Sequence, residues 1–263
     1  NIPGSIGFVV GFNRHVAWSA TKLGAYTEDA FRLNMIGSNQ YSYQGTTRTL
    51  NSITEEIKVR GSASVYITVK ESALGPVVTP IMEDVRSGEE YAWRSGSQYH
   101  PNEHTIQAAL GMMKSSSVYA FDQAVAKWTQ PSIHIIFGND QGNIGYTYAA
   151  GVPTRSPTAV LAGYMAQDTT NDWVELTPHS VLPHAINSPR GILFAANNLS
   201  IGSWYPISLG AYNGGGDTFR SWRLRQLLLS DPSKRFTPDE VRDIHYDSVH
   251  PVKKETVALA LNI

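Results

Sequence analysis

Apolar and polar residues alternate most clearly in a few short windows. Residues 6–20 are strand-rich, with a turn at Asn13-Arg14 before Val16-Ala17-Trp18. Ile57 and Val59, then Val65, Ile67 and Val69 alternate across a Gly61-Ser62 turn, which predicts a hairpin over 53–70. Leu74-Gly75-Pro76-Val77-Val78 starts another strand. A period close to 3.6 links Ile106, Leu110, Met113, Phe121, Val125 and Trp128, which predicts one long helix over 102–128, with Asn102 able to cap it. Ile133–Phe137 and Ile144–Tyr148 flank a Gly- and Asn-rich turn and predict a second hairpin. Residues 150–191 lack periodicity, yet Trp173, Leu176, Val181 and Leu182 are scattered through them, so they read as a long ordered loop. Ile192–Ala196 reads as a short buried strand, and Asp217 as the cap of a helix through Leu229. Thr237-Pro238-Asp239-Glu240 is a capping box with Pro at the first helical position. The prediction is an α+β protein, richer in sheet than helix, of a length that suits one large domain or two small ones.

Composition narrows the chemistry. The 263 residues carry 21 Lys and Arg against 22 Asp and Glu, a formal net charge of -1, which argues against a nucleic-acid or anionic-membrane coat. No apolar run approaches the length of a membrane span. The absence of Cys excludes disulfides, thiolate metal sites and a Cys nucleophile. There is no G-x-S-x-G elbow, P-loop, H-E-x-x-H or EF-hand loop. His100 and His104 have the spacing of a metal pair on a helix, but Pro101 between them favours a solvated loop. His134, alternating with Ile133 and Ile135, reads as a surface or hydrogen-bonded His. Gly214-Gly215-Gly216 is read as a flexible loop rather than a phosphate cradle, and Arg220, Arg223 and Arg225 as a solvated helix face. The 6 Trp and 13 Tyr suggest a carbohydrate-binding module only weakly, since core packing accounts for dispersed aromatics.

Gly11-Phe12-Asn13-Arg14-His15-Val16-Ala17-Trp18-Ser19-Ala20-Thr21 resembles the strand signature G-x-N-x-x-(I/V)-(A/S)-W-x-x-T of the penicillin acylase family. Further landmarks follow in the family's order: Asp29 with Phe31-Arg32-Leu33, Gly75-Pro76-Val77-Val78, Gly142-Asn143-Ile144-Gly145-Tyr146, Asn187-Ser188-Pro189, Gly191 through Asn198, Arg220 to Leu228, and Thr237-Pro238-Asp239. Leu74 stands where the family has His, and Pro189 sits one place late.

The resemblance implies an N-terminal-nucleophile hydrolase with a four-layer α-β-β-α fold, incomplete in this chain, which forms one domain over 1–263. Such enzymes cleave amides of small molecules of the penicillin, cephalosporin or acyl-homoserine lactone type. An autocatalytically cut precursor, or zymogen, exposes an N-terminal Ser that attacks with its own α-amine as base. Asn197 matches the side-chain oxyanion donor, Lys22 the residue whose backbone N–H completes the hole, and Arg220 an organising Arg, with Arg223 as the alternative register. A turn Asn at a strand end is the plainer reading of Asn197. No cofactor is required. Asp29 and Pro157 align with structural-calcium ligands, but Tyr26 and Leu209 fall where acidic ligands are expected, and calcium takes six or more oxygens. The nucleophile belongs tens of residues before Gly11, and Asn1 cannot replace it, so the chain is expected to be an internal β-chain fragment, inactive alone. Its partners are then the α chain and the remaining β-chain segments, in a periplasmic or secreted enzyme. The rival expectation is a non-catalytic binding or scaffold relative without the nucleophile.

Overall fold

The computed structural model describes residues 7–83, 85–99, 105–155, 165–168, 172–202, 204–207, 209–210 and 216–261. In chain order the strands are β1 (Gly11–Phe12), β2 (Val16–Lys22), β3 (Glu28–Arg32), β4 (Asn34–Met35), β5 (Gln40–Tyr43), β6 (Thr46–Thr49), β7 (Asn51–Ile57), β8 (Val65–Ser72), β9 (Gly75–Pro76), β10 (Tyr91–Ser95), β11 (Ile133–Asn139), β12 (Ile144–Ala149), β13 (Met165–Asp168) and β14 (His184–Ile186). The helices are α1 (Gly96–Tyr99), α2 (Thr105–Lys114), α3 (Val118–Val125), α4 (Phe219–Leu229), α5 (Pro238–His245) and α6 (Pro251–Leu261). The chain divides into two units, one drawn from Asn1–Ala25, Glu103–Ala150 and Pro178–Ile263, the other from Tyr26–Asn102 and Gly151–Thr177.

The first unit is built on an antiparallel sheet in the order β1-β2-β11-β12-β14. Successive side chains of a strand point to opposite faces. Val16 and Trp18 of β2 and Ile133, Ile135 and Phe137 of β11 therefore share one face. They pack with Ala108, Met112, Val118, Phe121 and Val125 of α2 and α3 in a single buried cluster. Asn13 starts β2 by accepting from the N–H groups of His15 and Val16 at 2.7 and 2.8 Å. The opposite face carries Thr21, His134, Tyr146 and Tyr148, with His134 paired to Thr21 on one side and Tyr148 on the other. That polar face is where the candidate site lies.

The second unit contains the mixed sheet β10-β3-β13, in which β10 is antiparallel and β13 parallel to β3. The meander β4-β5-β6 and the sheet β7-β8-β9 belong to the same unit. Phe31, Leu33, Tyr41, Leu74, Val77, Ala92 and Trp173 form its buried cluster.

The α+β reading and both predicted hairpins stand. The single helix over 102–128 does not: it is two helices, because Ser117 caps α3 with its hydroxyl accepting from the Ala120 N–H at 3.1 Å. Asn102 lies outside the described residues. The expected loop over 150–191 holds β13 and β14, and β14 closes the edge of the first sheet on β12. Among the described residues, 192–196 pairs with no strand, so the expected buried strand is not formed there. Only the short β9 forms within 74–78, followed by a bridge from Val77 to Ala92. The cap of α4 is Thr218 rather than Asp217. The capping box at Thr237 is present with Pro238 in the first turn.

Candidate active site

Asn197 sits in the left-handed region at φ 62°, a conformation Asn tolerates better than most residues. Its neighbours fix the bend. The Asn198 side chain accepts from the Ala196 N–H at 3.0 Å. Thr218 Oγ1 donates to the Ala196 carbonyl at 2.9 Å and accepts from the Ser221 N–H at 3.1 Å. One hydroxyl thus caps α4 and ties that helix to the Asn197 bend.

Asn197 Nδ2 donates to Thr21 Oγ1 at 3.0 Å and to the Lys22 carbonyl at 2.5 Å. Its Oδ1 accepts from Arg220 Nη2. The partners settle the amide orientation: Arg only donates, and a backbone carbonyl only accepts. Arg220 lies in the first turn of α4, where a cation opposes the helix dipole. The Asn197 oxygen offsets that cost, and the guanidinium polarises the amide so that its N–H groups donate more strongly.

Thus Asn197, Lys22 and Arg220 meet at the end of β2. Arg223 does not join them: it makes a two-point pair with Asp247, 2.9 Å from Nε and 2.8 Å from Nη2. Arg225 pairs with Asp217 at 3.1 Å. Arg220 and Arg225 are exposed, as the solvated-face reading has it, and each of the three Arg residues also has a hydrogen-bonded partner. His100, His104, Gly214 and Gly215 lie outside the described residues.

Two buried polar networks flank the first sheet; His134 is hydrogen-bonded, as one of its two readings has it, and at 1% exposed it is not a surface His. Tyr146 donates to Ser200 Oγ at 2.6 Å, and its hydroxyl lies 2.8 Å from Nδ1 of His134. Burial pushes the His134 imidazole down to about 4, against a smaller opposing effect of the Asn198 backbone. On the helix side, Thr147 donates to Asp122, and His179 Nε2 lies 3.3 Å from the same carboxylate. Burial raises the Asp122 carboxyl, but the neighbouring His179 imidazole and the hydrogen bond from Thr147 outweigh it and hold it below the usual range. Thr218 was missed, a Thr before a helix being its only local signal, while Thr21 stands in the strand signature but was given no role of its own.

In the second unit Asp29 is buried, and Oδ2 accepts from Arg155 Nε at 2.7 Å and from Trp173 Nε1 at 2.6 Å. Pro157 lies outside the described residues. Among the described residues no group of three or more His, Asp or Glu side chains is placed to hold a metal ion. Nor, among them, is any helix long and apolar enough to cross a membrane.

Residues 1–262 match the family model for penicillin amidase. Penicillin acylase 2 proenzyme of Pseudomonas sp. (strain SE83) is 25% identical over 200 residues, covering 75% of this chain and 24% of that protein. Acyl-homoserine lactone acylase QuiP of Pseudomonas fluorescens is 22% identical over 213 residues, covering 80% and 26%. The thermostable penicillin G acylase from Alcaligenes faecalis superposes with a TM-score of 0.78 at 22% identity, over 92% of this chain and 42% of that one, a likeness of fold. The chain spans about a quarter of the length of these curated relatives.

Proposed function

The chain belongs to the penicillin amidase family, and we propose on that premise that it forms the oxyanion-stabilising part of an amidohydrolase acting on an acyl amide of the penicillin or acyl-homoserine lactone type. The observation that carries this reading is the three-way contact of the Asn197 amide with Arg220, Thr21 and the Lys22 peptide. A preorganised amide whose oxygen is held by a cation is what a developing oxyanion needs. The attacking Ser would come from a segment of the precursor outside these residues, within the four-layer arrangement of the whole protein. These 263 residues alone are then expected to be inactive. The same reading makes the α chain and the other β-chain segments partners, and the periplasm or the exterior the site of action.

Attack on the amide carbonyl places negative charge on its oxygen. Both N–H groups of Asn197 already donate, so the oxyanion must displace one acceptor. The Thr21 hydroxyl is the exchangeable one, because it rotates, donates as well as accepts, and is neutral. The Lys22 backbone N–H would be the second donor, and collapse of the tetrahedral species would expel the amine. A water would then release the acid from the acyl-enzyme.

The test is hydrolysis by the full-length protein of a penicillin and of an N-acyl-homoserine lactone, followed by release of the primary amine. Turnover of either substrate class is expected. A correctly folded full-length protein that cleaves neither, nor any simple acyl amide, would leave the non-catalytic relative as the reading.

A further inference from the structure

We infer that the guanidinium of Arg155 is a built-in cation at Asp29, so that this unit holds its fold without the structural calcium that the family resemblance places there. The inference is independent of whether the chain serves hydrolysis.

Asp29 leads because it is a carboxylate removed from water: its side chain is 1% exposed, and that of Arg155 is 8% exposed. A buried carboxylate demands a positive partner and hydrogen-bond donors. Arg155 supplies the charge through Nε at 2.7 Å, and Trp173 adds the indole N–H at 2.6 Å on the same oxygen. Arg155 Nη2 also donates to the Tyr26 carbonyl at 2.9 Å. The guanidinium carbon lies 5.9 Å from the Trp173 ring centroid, a cation–π distance. One side chain therefore meets the one acidic position that the resemblance retains and the backbone of one that it has lost.

Among the described residues the donor set does not fit calcium. Six to eight oxygens are needed at 2.3–2.6 Å. Asp29 Oδ2 and the Tyr26 carbonyl are both taken by Arg155. Asp29 Oδ1 alone has no hydrogen-bond partner among the described residues. Charge gives the same answer. The Arg155–Asp29 pair is already neutral, and a divalent ion at Asp29 would meet the guanidinium at close range in a medium that screens poorly.

Two measurements on the full-length protein test this. In the first, thermal melts in EGTA and in excess Ca2+ are combined with Tb3+ titration, read as emission sensitised by Trp excitation. Trp173 lies directly against Asp29, so a lanthanide bound there would light up. Superimposable melts and no Ca2+-displaceable emission are expected. A melt raised by Ca2+, or Ca2+-displaceable emission, that Asp29→Asn abolishes would overturn the inference. In the second, Arg155→Met is expected to lower the melting temperature by roughly 10 °C, because it strands a buried carboxylate. The double variant Asp29→Asn/Arg155→Met should lose less than the sum of the single changes. An Arg155→Met protein that melts like the parent would contradict it. If that variant does not fold, the EGTA, Ca2+ and Tb3+ comparison on the parent protein decides.

Discussion

Asn197 shows how a single side chain is made ready by residues far from it in sequence. Its Lys22 partner is 175 positions away and its Arg220 partner 23. No local pattern encodes such separations, which is why hydrophobic periodicity saw only a turn Asn at this place. The nomination of Asn197, Lys22 and Arg220 came from resemblance alone. Thr21 closes the strand signature but drew no role of its own, because a Thr is unremarkable in a strand, where β-branched residues are common. The Arg220 fork holds the Asn197 oxygen from an exposed helix start, so replacing it should loosen the amide rather than unfold the chain. Arg220→Lys in the full-length protein is expected to lower kcat about 10-fold with little change in KM, the scale of one charge-assisted hydrogen bond discounted for exposure. Steady-state kinetics on any cleaved amide check this; an unchanged kcat would remove Arg220 from the site.

Elements were legible where one face of the chain reports its own burial. The β11–β12 hairpin alternates cleanly because Ile133, Ile135 and Phe137 all point at α2 and α3. Its turn is pinned by Asn187, whose Oδ1 accepts from the Ile144 N–H at 3.1 Å and whose Nδ2 donates to Asn143 Oδ1 at 2.9 Å. Gly145 stands opposite Phe137, and a Cβ there would lie 2.3 Å from the ring. Gly145→Ala is therefore expected to cost about 2 kcal/mol by overpacking, read from urea unfolding. The 102–128 periodicity misled for a physical reason: Met112 on α2 and Phe121 and Val125 on α3 pack into one cluster, so the apolar rhythm runs on across the Ser115–Ser117 break. Strand β14 was hidden by its three-residue length, and β13 by a parallel partner more than a hundred residues upstream.

At the scale of the molecule, composition and pattern were enough for an α+β class, whereas the order of strands within each sheet was not, since it depends on pairings between distant segments. The buried His134 gives the whole chain a pH dependence. Its folded pKa of about 4 lies below the ordinary 6.5, so the unfolded chain binds the proton more readily between those values. By linkage, stability is full above pH 6.5 and falls as the pH drops toward 4. The loss between pH 7.5 and pH 4.5 is expected to be about 2 kcal/mol from this group. Urea unfolding at the two pH values should show it, and His134→Gln should flatten the difference; a parent protein equally stable at both would contradict it. Asp122, held below its usual range, adds its own loss only at still lower pH.

The most direct measurement is the turnover of the full-length protein carrying Asn197→Ala. If this amide stabilises the oxyanion, kcat for amide hydrolysis falls about 100-fold or more, with KM little changed and the melting temperature close to that of the parent. A variant that folds and turns over within a few-fold of the parent would contradict the role assigned to Asn197, and with it the proposed site.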